Sequence, residues 1–173
     1  NKVKFFQLRL KKISNNKIIK ISRKIKKICK DFKVKFIIND SPLVSLKVGA
    51  DGCHLGQSDM DIEKARKIIK KKIIGVTCHN SKTLARIAIL NKADYLAFGS
   101  FYKSNLKPEA KKASLNILRW AKKNTKKPIV AIGGVNNLNY KKIIKSGAKY
   151  IAISSYIWDN PKLKPEIAIK KFK

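Results

Sequence analysis

Two aspartates stand where apolar runs stop. Phe36-Ile-Ile-Asn-Asp40 and His54-Leu-Gly-Gln-Ser-Asp59 each turn abruptly polar, in a chain with 10 acidic residues against 42 basic ones. A lone Asp at a strand end is usually a cap or turn residue, and Ser41-Pro42 after Asp40 fits that role. The pair, in matching contexts, points further. Two carboxylates at neighbouring strand ends can share one hard cation, because Mg²⁺ takes oxygen ligands and binds through one or two carboxylates plus substrate phosphates. The chemistry implied is phosphate chemistry.

The other strand ends carry partners for it. Gln7, Arg9 and Lys11 alternate at period two, so an extended segment presents all three on one side. Asn39 precedes Asp40. Thr77-Cys-His79 closes another apolar run, and a polar stretch from Gly99 to Lys107 follows the next. Gly133-Gly134 leads into an expected helix, where free N–H groups can hold a phosphate. Ser154-Ser155 offers the same at the last strand.

Positioning such a ring is a task for alternating strands and helices. Short apolar runs predict strands at Lys4–Leu10, Lys35–Asn39, Gly52–Leu55, Ile73–Thr77, Tyr95–Phe98, Ile129–Ile132 and Tyr150–Ser154. Between them, apolar residues recur at three- and four-residue spacing, as in Ile18, Ile21, Ile25 and Ile28. This predicts helices at Asn16–Lys30, Pro42–Val48, Ile62–Lys70, Ser81–Asn91, Ser114–Lys123, Leu138–Ser146 and Pro161–Lys171. Ser81 and Ser114 are expected to cap helix starts, and Gly49 and Gly147 helix ends. The strands are continuously apolar, as in a parallel sheet covered on both faces. Val48-Gly-Ala-Asp51, Asn91-Lys-Ala-Asp94 and Ser146-Gly-Ala-Lys149 each join a helix to a strand, a structural duty for Asp51 and Asp94. Such regular units fit one domain over residues 1–173, an α/β (β/α)₈ TIM barrel whose active site lies at the strand C-termini. Seven units are countable, so the first βα unit is expected to be missing at the N-terminus. No Gly-x-Gly-x-x-Gly follows a strand, which argues against dinucleotide binding.

Composition narrows the class. Hydrophobic content of 44% over 173 residues gives a real core. No apolar run can span a bilayer, and no signal pattern is present. Three cysteines, none in a C-x-x-C pair, read as reduced, buried thiols of a cytoplasmic protein. The net charge of +32 would suit a polyanion. However, the lysines recur in every helix-like segment, and Arg stands only at 9, 23, 66, 86 and 119. The charge therefore reads as a solvated surface, with no specific nucleic-acid partner.

The strand-end residues resemble thiamine-phosphate synthase from Gln7 to Trp158. The motifs are Q-L-R-x-K, I-N-D, G-A-D-G-x-H-L-G-Q-x-D, G-V-T-C-H, A-D-Y-x-x-F-G, A-I-G-G and the terminal I-S-S. A-I-G-G and G-A-D recur in many phosphate-binding barrels; the order and spacing of all seven carry the resemblance. It implies an enzyme joining a pyrimidine diphosphate to a thiazole phosphate, with release of diphosphate. Asp40 and Asp59 would hold Mg²⁺. Arg9, Lys11, Asn39, Thr77 and Lys107 would bind the diphosphate, with Arg9, Lys11 and Lys107 acting in catalysis. Gln7 would bind the pyrimidine. Ser104, Gly134, Ser154 and Ser155 would hold the thiazole phosphate. The implied partners are these small molecules; a homo-oligomer stays open.

One segment departs from the family. After Gly99 the family reads proline, an aromatic pair, proline, then Thr-x-Thr-Lys. Here it is Ser100-Phe-Tyr-Lys103-Ser104-Asn-Leu106-Lys107. Ser104 replaces one hydroxyl, Leu106 cannot replace the other, and Lys103 adds a charge. Two alternatives follow: a metal-free thiazole tautomerase, or a polyanion-binding relative that has lost catalysis. Asn39-Asp40 and Gln57-x-Asp59 argue against the first, since an isomerase has no diphosphate to neutralise. The second leaves the strand-end residues unexplained. His54 reads as a hydrogen-bonded core residue, His79 as a site-facing or helix-entry residue, and Trp120 and Trp158 as packing residues.

Overall fold

The computed structural model describes residues 3–103 and 111–172. The chain forms two compact units: the first runs to Val76 and includes Leu90–Asp94, and the second takes Thr77–Ile89 and the chain from Tyr95 on.

In the first unit, β1 (Phe5–Leu8), β2 (Lys35–Asn39), β3 (Gly52–Leu55) and β4 (Ile73–His79, which runs on into the second unit) pair in sequence order, every pair parallel. Helices α1 (Asn15–Asp31), α2 (Pro42–Val48) and α3 (Ile62–Ile69) make the crossovers. Phe36, Ile37, Ile38, Cys53, Leu55 and Ile74 are at most 1% exposed. That continuous burial is what parallel strands covered on both faces require. Along β1 and just beyond it, Phe5, Gln7 and Arg9 are exposed while Phe6, Leu8 and Leu10 are half-buried. Phe6 and Leu8 pack with Ile18, Ile19, Ile25 and Cys29 of α1 against Phe36, Ile38, Val44 and Val48.

The expected caps form. Ser41 accepts from the Val44 N–H at 3.2 Å, Pro42 opens α2, and Gly49 ends it at φ +63, a left-handed conformation glycine adopts without steric cost. The helix-to-strand theme has a structural explanation. Asp51 N–H donates to the Phe36 carbonyl, while its Oδ2 accepts the Phe36 N–H. Asp94 does the same with Ile74. Arg66 locks the second joint, donating to the carbonyls of Lys70, Lys72 and Lys92 and to Asp94 Oδ2 at 2.7 Å. In the third copy Lys149 keeps only the backbone half, its N–H meeting the Ile129 carbonyl.

In the second unit, β5 (Tyr95–Phe98), β6 (Ile129–Ile132) and β7 (Tyr150–Ala152) pair in order and in parallel. Around them lie α4 (Lys82–Leu90, whose last residue falls in the first unit), α5 (Leu115–Asn124), α6 (Tyr140–Lys145), α7 (Ser155–Trp158) and α8 (Pro165–Ala168), then a 3₁₀ turn at Ile169–Lys171. Ser81 and Ser114 cap α4 and α5 as expected, each accepting at 3.2 Å. Three expectations change here. Helix α6 starts at Tyr140, because Asn136–Asn139 spend their hydrogen bonds on a turn. The last strand ends at Ala152, and Ser154-Ser155 opens a short helix. The final expected helix is only its second half. Trp158 is 59% exposed, and Trp120 is half-buried with Lys82 and Arg86 over its ring.

Candidate active site

The first unit assembles six of the expected residues. Gln7 registers with Ile37 on β2, and Asn39 lies two residues further along the same face. The Gln7 amide donates from Nε2 to Asn39 Oδ1. Asn39 Nδ2 in turn donates to Asp40 Oδ1, and Lys11 Nζ is ion-paired with Asp40 Oδ2. Arg9 lies near enough for its charge to act on Asp40. Gln7, Arg9 and Lys11 are all exposed, Gln7 on β1 and the other two beyond its end at Leu8.

Asp40 is not spent on capping, because Ser41 caps α2. It stands at φ +68, in the left-handed region that Asp adopts more readily than most residues. Asp59 folds back on its own turn, Oδ2 accepting the Gly56 N–H at 2.6 Å, while Asp61 caps α3.

The two aspartates act on each other electrostatically. Burial works to raise both. For Asp40, the bond from Lys11, the influence of Asp59 and the charges of Lys11 and Arg9 outweigh burial and hold the carboxyl below its ordinary range. For Asp59, burial is reinforced by Asp40; the Gly56 N–H and Lys11 oppose without prevailing, and the group is raised. Two carboxyl groups that act on each other, beside amide oxygens and cationic chains, form an oxygen donor set fit for Mg²⁺. No cluster of three or more His, Cys, Asp or Glu stands among the described residues. The remaining ligands of a cation here would be water and phosphate oxygens.

The second unit carries the other expected residues. Thr77 is half-buried near the end of β4. Gly133 and Gly134 stand at φ +100 and +61, against the segment after β5. A Cβ on Gly133 would meet Ser100 Oγ at 1.9 Å, and one on Gly134 the Lys103 carbonyl at 2.4 Å. Tyr102 N–H donates to the Gly133 carbonyl. Among the described residues the Gly134 N–H makes no hydrogen bond. Ser154 gives its carbonyl to the N–H groups of Ile157 and Trp158 but spends no hydroxyl on capping. Ser104, Lys107 and the departing Leu106 lie outside the described residues.

Sequence reasoning missed what holds this loop. Asn139 Nδ2 donates to the Gly134 carbonyl, and its Oδ1 accepts the Asn136 N–H, both at 2.9 Å. Asn136 Oδ1 accepts from Leu138 and Asn139. The three-residue spacing of the two Asn residues was the available signal. His54 is 8% exposed, in the core as expected, and its carbonyl accepts the Asp40 N–H. His79 is exposed at φ +50, with its carbonyl accepting from Gly99. Cys29, Cys53 and Cys78 form no disulfide and are buried, with the Cys53 and Cys78 thiols pushed up to about 12 by burial.

The fold is that of a parallel α/β chain with amide, hydroxyl, cationic and carboxylate side chains at its strand ends. Residues 1–157 match the family described as thiamine monophosphate synthase. The thiamine-phosphate synthase of Pelagibacter ubique is 60% identical over 173 residues, covering 99% of this chain and 83% of that protein. The Alcanivorax borkumensis thiamine-phosphate synthase is 45% identical over 130 residues, 75% of this chain and 60% of that one. Thiamine phosphate pyrophosphorylase from Pyrococcus furiosus superposes with a TM-score of 0.89 at 30% identity, covering 97% of this chain and 80% of that one. The chain belongs to the thiamine monophosphate synthase family. Thiamine-phosphate synthesis, a transferase activity, is the function these similarities support.

Proposed function

We propose that the chain joins 4-amino-2-methyl-5-hydroxymethylpyrimidine diphosphate to thiazole phosphate, giving thiamine phosphate and diphosphate, with Asp40 and Asp59 holding Mg²⁺. The observation that carries this reading is the Gln7–Asn39–Asp40–Lys11 network with Asp59 against it. It joins a neutral amide, fit for a pyrimidine ring, to a carboxylate pair and a cation, fit for a metal diphosphate.

The bond that breaks links the pyrimidine methylene to a diphosphate oxygen, and the electron pair leaves with the diphosphate. The thiazole nitrogen then gives its lone pair to the resulting pyrimidine-methyl cation. No proton needs to be removed from this nucleophile, which agrees with a site whose polar groups are amides, hydroxyls, cations and a carboxylate pair. Mg²⁺, when bound, would neutralise charge developing on the leaving group. Arg9 and Lys11 would add fixed positive charge there, the kind of preorganised electrostatics that lowers such a barrier. Asn39 and Thr77 would orient the diphosphate, and Lys107 would add to its charge. The Gly134 N–H with the hydroxyls of Ser154, Ser155 and Ser104 would take the thiazole phosphate. We read the seven βα units as those of a (β/α)₈ barrel, and the thiols, which form no disulfide, support a reducing, cytoplasmic setting. Among the described residues no helix is long and apolar enough to cross a membrane.

The test is turnover of both substrates by the chain, with and without Mg²⁺. Product is expected only with the metal, and Asp40→Ala should abolish it. Full activity of Asp40→Ala, or equal turnover in a chelator, would refute the assignment.

A further inference from the structure

We propose that Phe172 is a positioning residue for the thiazole phosphate; this rests on the reading above that Gly134, Ser154 and Ser155 hold that group. Phe172 lies beyond the last helical turn, yet it is only 8% exposed. Its ring is wedged between two tyrosines in edge-to-face contacts, at 5.2 Å from Tyr140 and 5.4 Å from Tyr156. Contacts of this geometry add stabilisation beyond the area they bury.

The two tyrosines stand at telling positions. Tyr140 is the first residue of α6, directly after Asn139, whose amide grips the Gly134 carbonyl. Its own N–H donates to the Asn136 carbonyl, so Tyr140 belongs to the turn that shapes the glycine loop. Tyr156 is the second residue of α7, next to Ser155 and two after Ser154. One ring therefore ties together the two segments that carry the phosphate contacts. The β6–β7 ladder, with Ile132 opposite Ala152, brings Gly134 and Ser154 side by side two residues beyond the last paired rung. The helices that follow are short, α6 of six residues and α7 of four, and Phe172 braces them against each other from outside. Asn160, bonded to the Tyr156 carbonyl at 3.1 Å, steadies the α7 side.

The experiment compares KM for each substrate in Phe172→Ala, Phe172→Tyr and the double variant Ser154→Ala/Ser155→Ala. Phe172→Ala should raise KM for thiazole phosphate about tenfold, a loss of about 1.4 kcal/mol of binding. KM for the pyrimidine diphosphate should stay within about twofold of the wild-type value. Phe172→Tyr, which keeps the ring, should restore the thiazole-phosphate KM. If Phe172→Ala does not fold, Phe172→Leu reads the same split at about threefold, since it keeps bulk and loses the ring contacts. A thiazole-phosphate KM that is unchanged, or that rises together with the other KM, overturns the proposal. The serine variant separates the two failures. If it raises the thiazole-phosphate KM while the Phe172 variants do not, the positioning role alone is wrong. If it too has no effect, the phosphate assignment fails first.

Discussion

Replacing Asp59 by Asn should make the metal-free protein more stable and the enzyme much worse. The side chain keeps its size and can still accept the Gly56 N–H through its amide oxygen, so the turn survives. What changes is the face toward Asp40. There the wild type sets two carboxyl groups against each other, with Asp59 raised by burial and by Asp40, and only Lys11 and the Gly56 N–H opposing. Removing one acidic group from such a pair relieves on the order of 1 kcal/mol, discounted because both groups are partly solvated. For a domain of this size that is a rise of about 2–4 °C in Tm. The same change removes half of the carboxylate set proposed for Mg²⁺. Wild-type protein at a hundredfold excess of Mg²⁺ over Kd should gain about 2.7 kcal/mol, and Asp59→Asn should gain little. A loss of several kcal/mol of charge stabilisation on the leaving group lowers turnover by about a hundredfold or more. Thermal melts with and without Mg²⁺, beside a diphosphate-release assay, read all three effects. If the variant is less stable without metal, or still responds to Mg²⁺ like the wild type, the paired-carboxylate reasoning is wrong.

Other residues give sharper tests of the fold. Arg66→Lys should cost about 2–4 kcal/mol in urea unfolding, because an ammonium cannot reproduce a fork that reaches three carbonyls and Asp94. Ser22→Ala should stabilise by about 1 kcal/mol, since the Ser22 hydroxyl is fully buried with no hydrogen-bond partner among the described residues; a destabilised variant would mean that this hydroxyl has one. Burial works to raise Asp51, but the Phe36 N–H and Lys35 outweigh it and hold it below its ordinary value. A lowered folded pKa gives stability that is present above the unfolded value, about 3.9, and lost as pH falls through the folded one. Asp51→Asn should therefore be less stable than wild type at pH 7, with the gap closing at pH 3 in denaturant titrations.

What the sequence could reveal follows from where each group gets its position. Strands β2, β3, β5 and β6 fall on their expected residues because each is written as a short apolar run between polar or turn-forming residues, although Ile132 of β6 is 42% exposed. Their ends were equally plain, since a polar residue after Ile38 or Leu55 has only the sheet rim to occupy. Gln7, Asn39 and Asp40 could be placed for that reason, and the structure brings them together. The start of α6 was not legible. Leu138 looks like the first apolar residue of a helical stripe, yet it is 87% exposed, because Asn136 and Asn139 close a turn around it. Phe172 was harder still: its meaning depends on Tyr140 and Tyr156, and no local pattern records such a contact.

The two halves of the proposed site therefore differ in kind. The diphosphate half consists of charged and amide side chains on strand ends, so it can be read residue by residue and should fail residue by residue. The thiazole-phosphate half consists of a left-handed glycine pair, two short helices and the groups that hold them. There a Cβ on Gly134 would strike the Lys103 carbonyl at 2.4 Å, so backbone geometry matters more than residue type. This bears on Leu106, the clearest departure from the family. If the phosphate is held mainly by backbone positioned through Asn139 and Phe172, Leu106→Thr should lower the thiazole-phosphate KM by about fivefold or less, the value of one neutral hydrogen bond. A gain of a hundredfold would show instead that the loop hydroxyl governs binding, and that this chain lacks its principal phosphate contact.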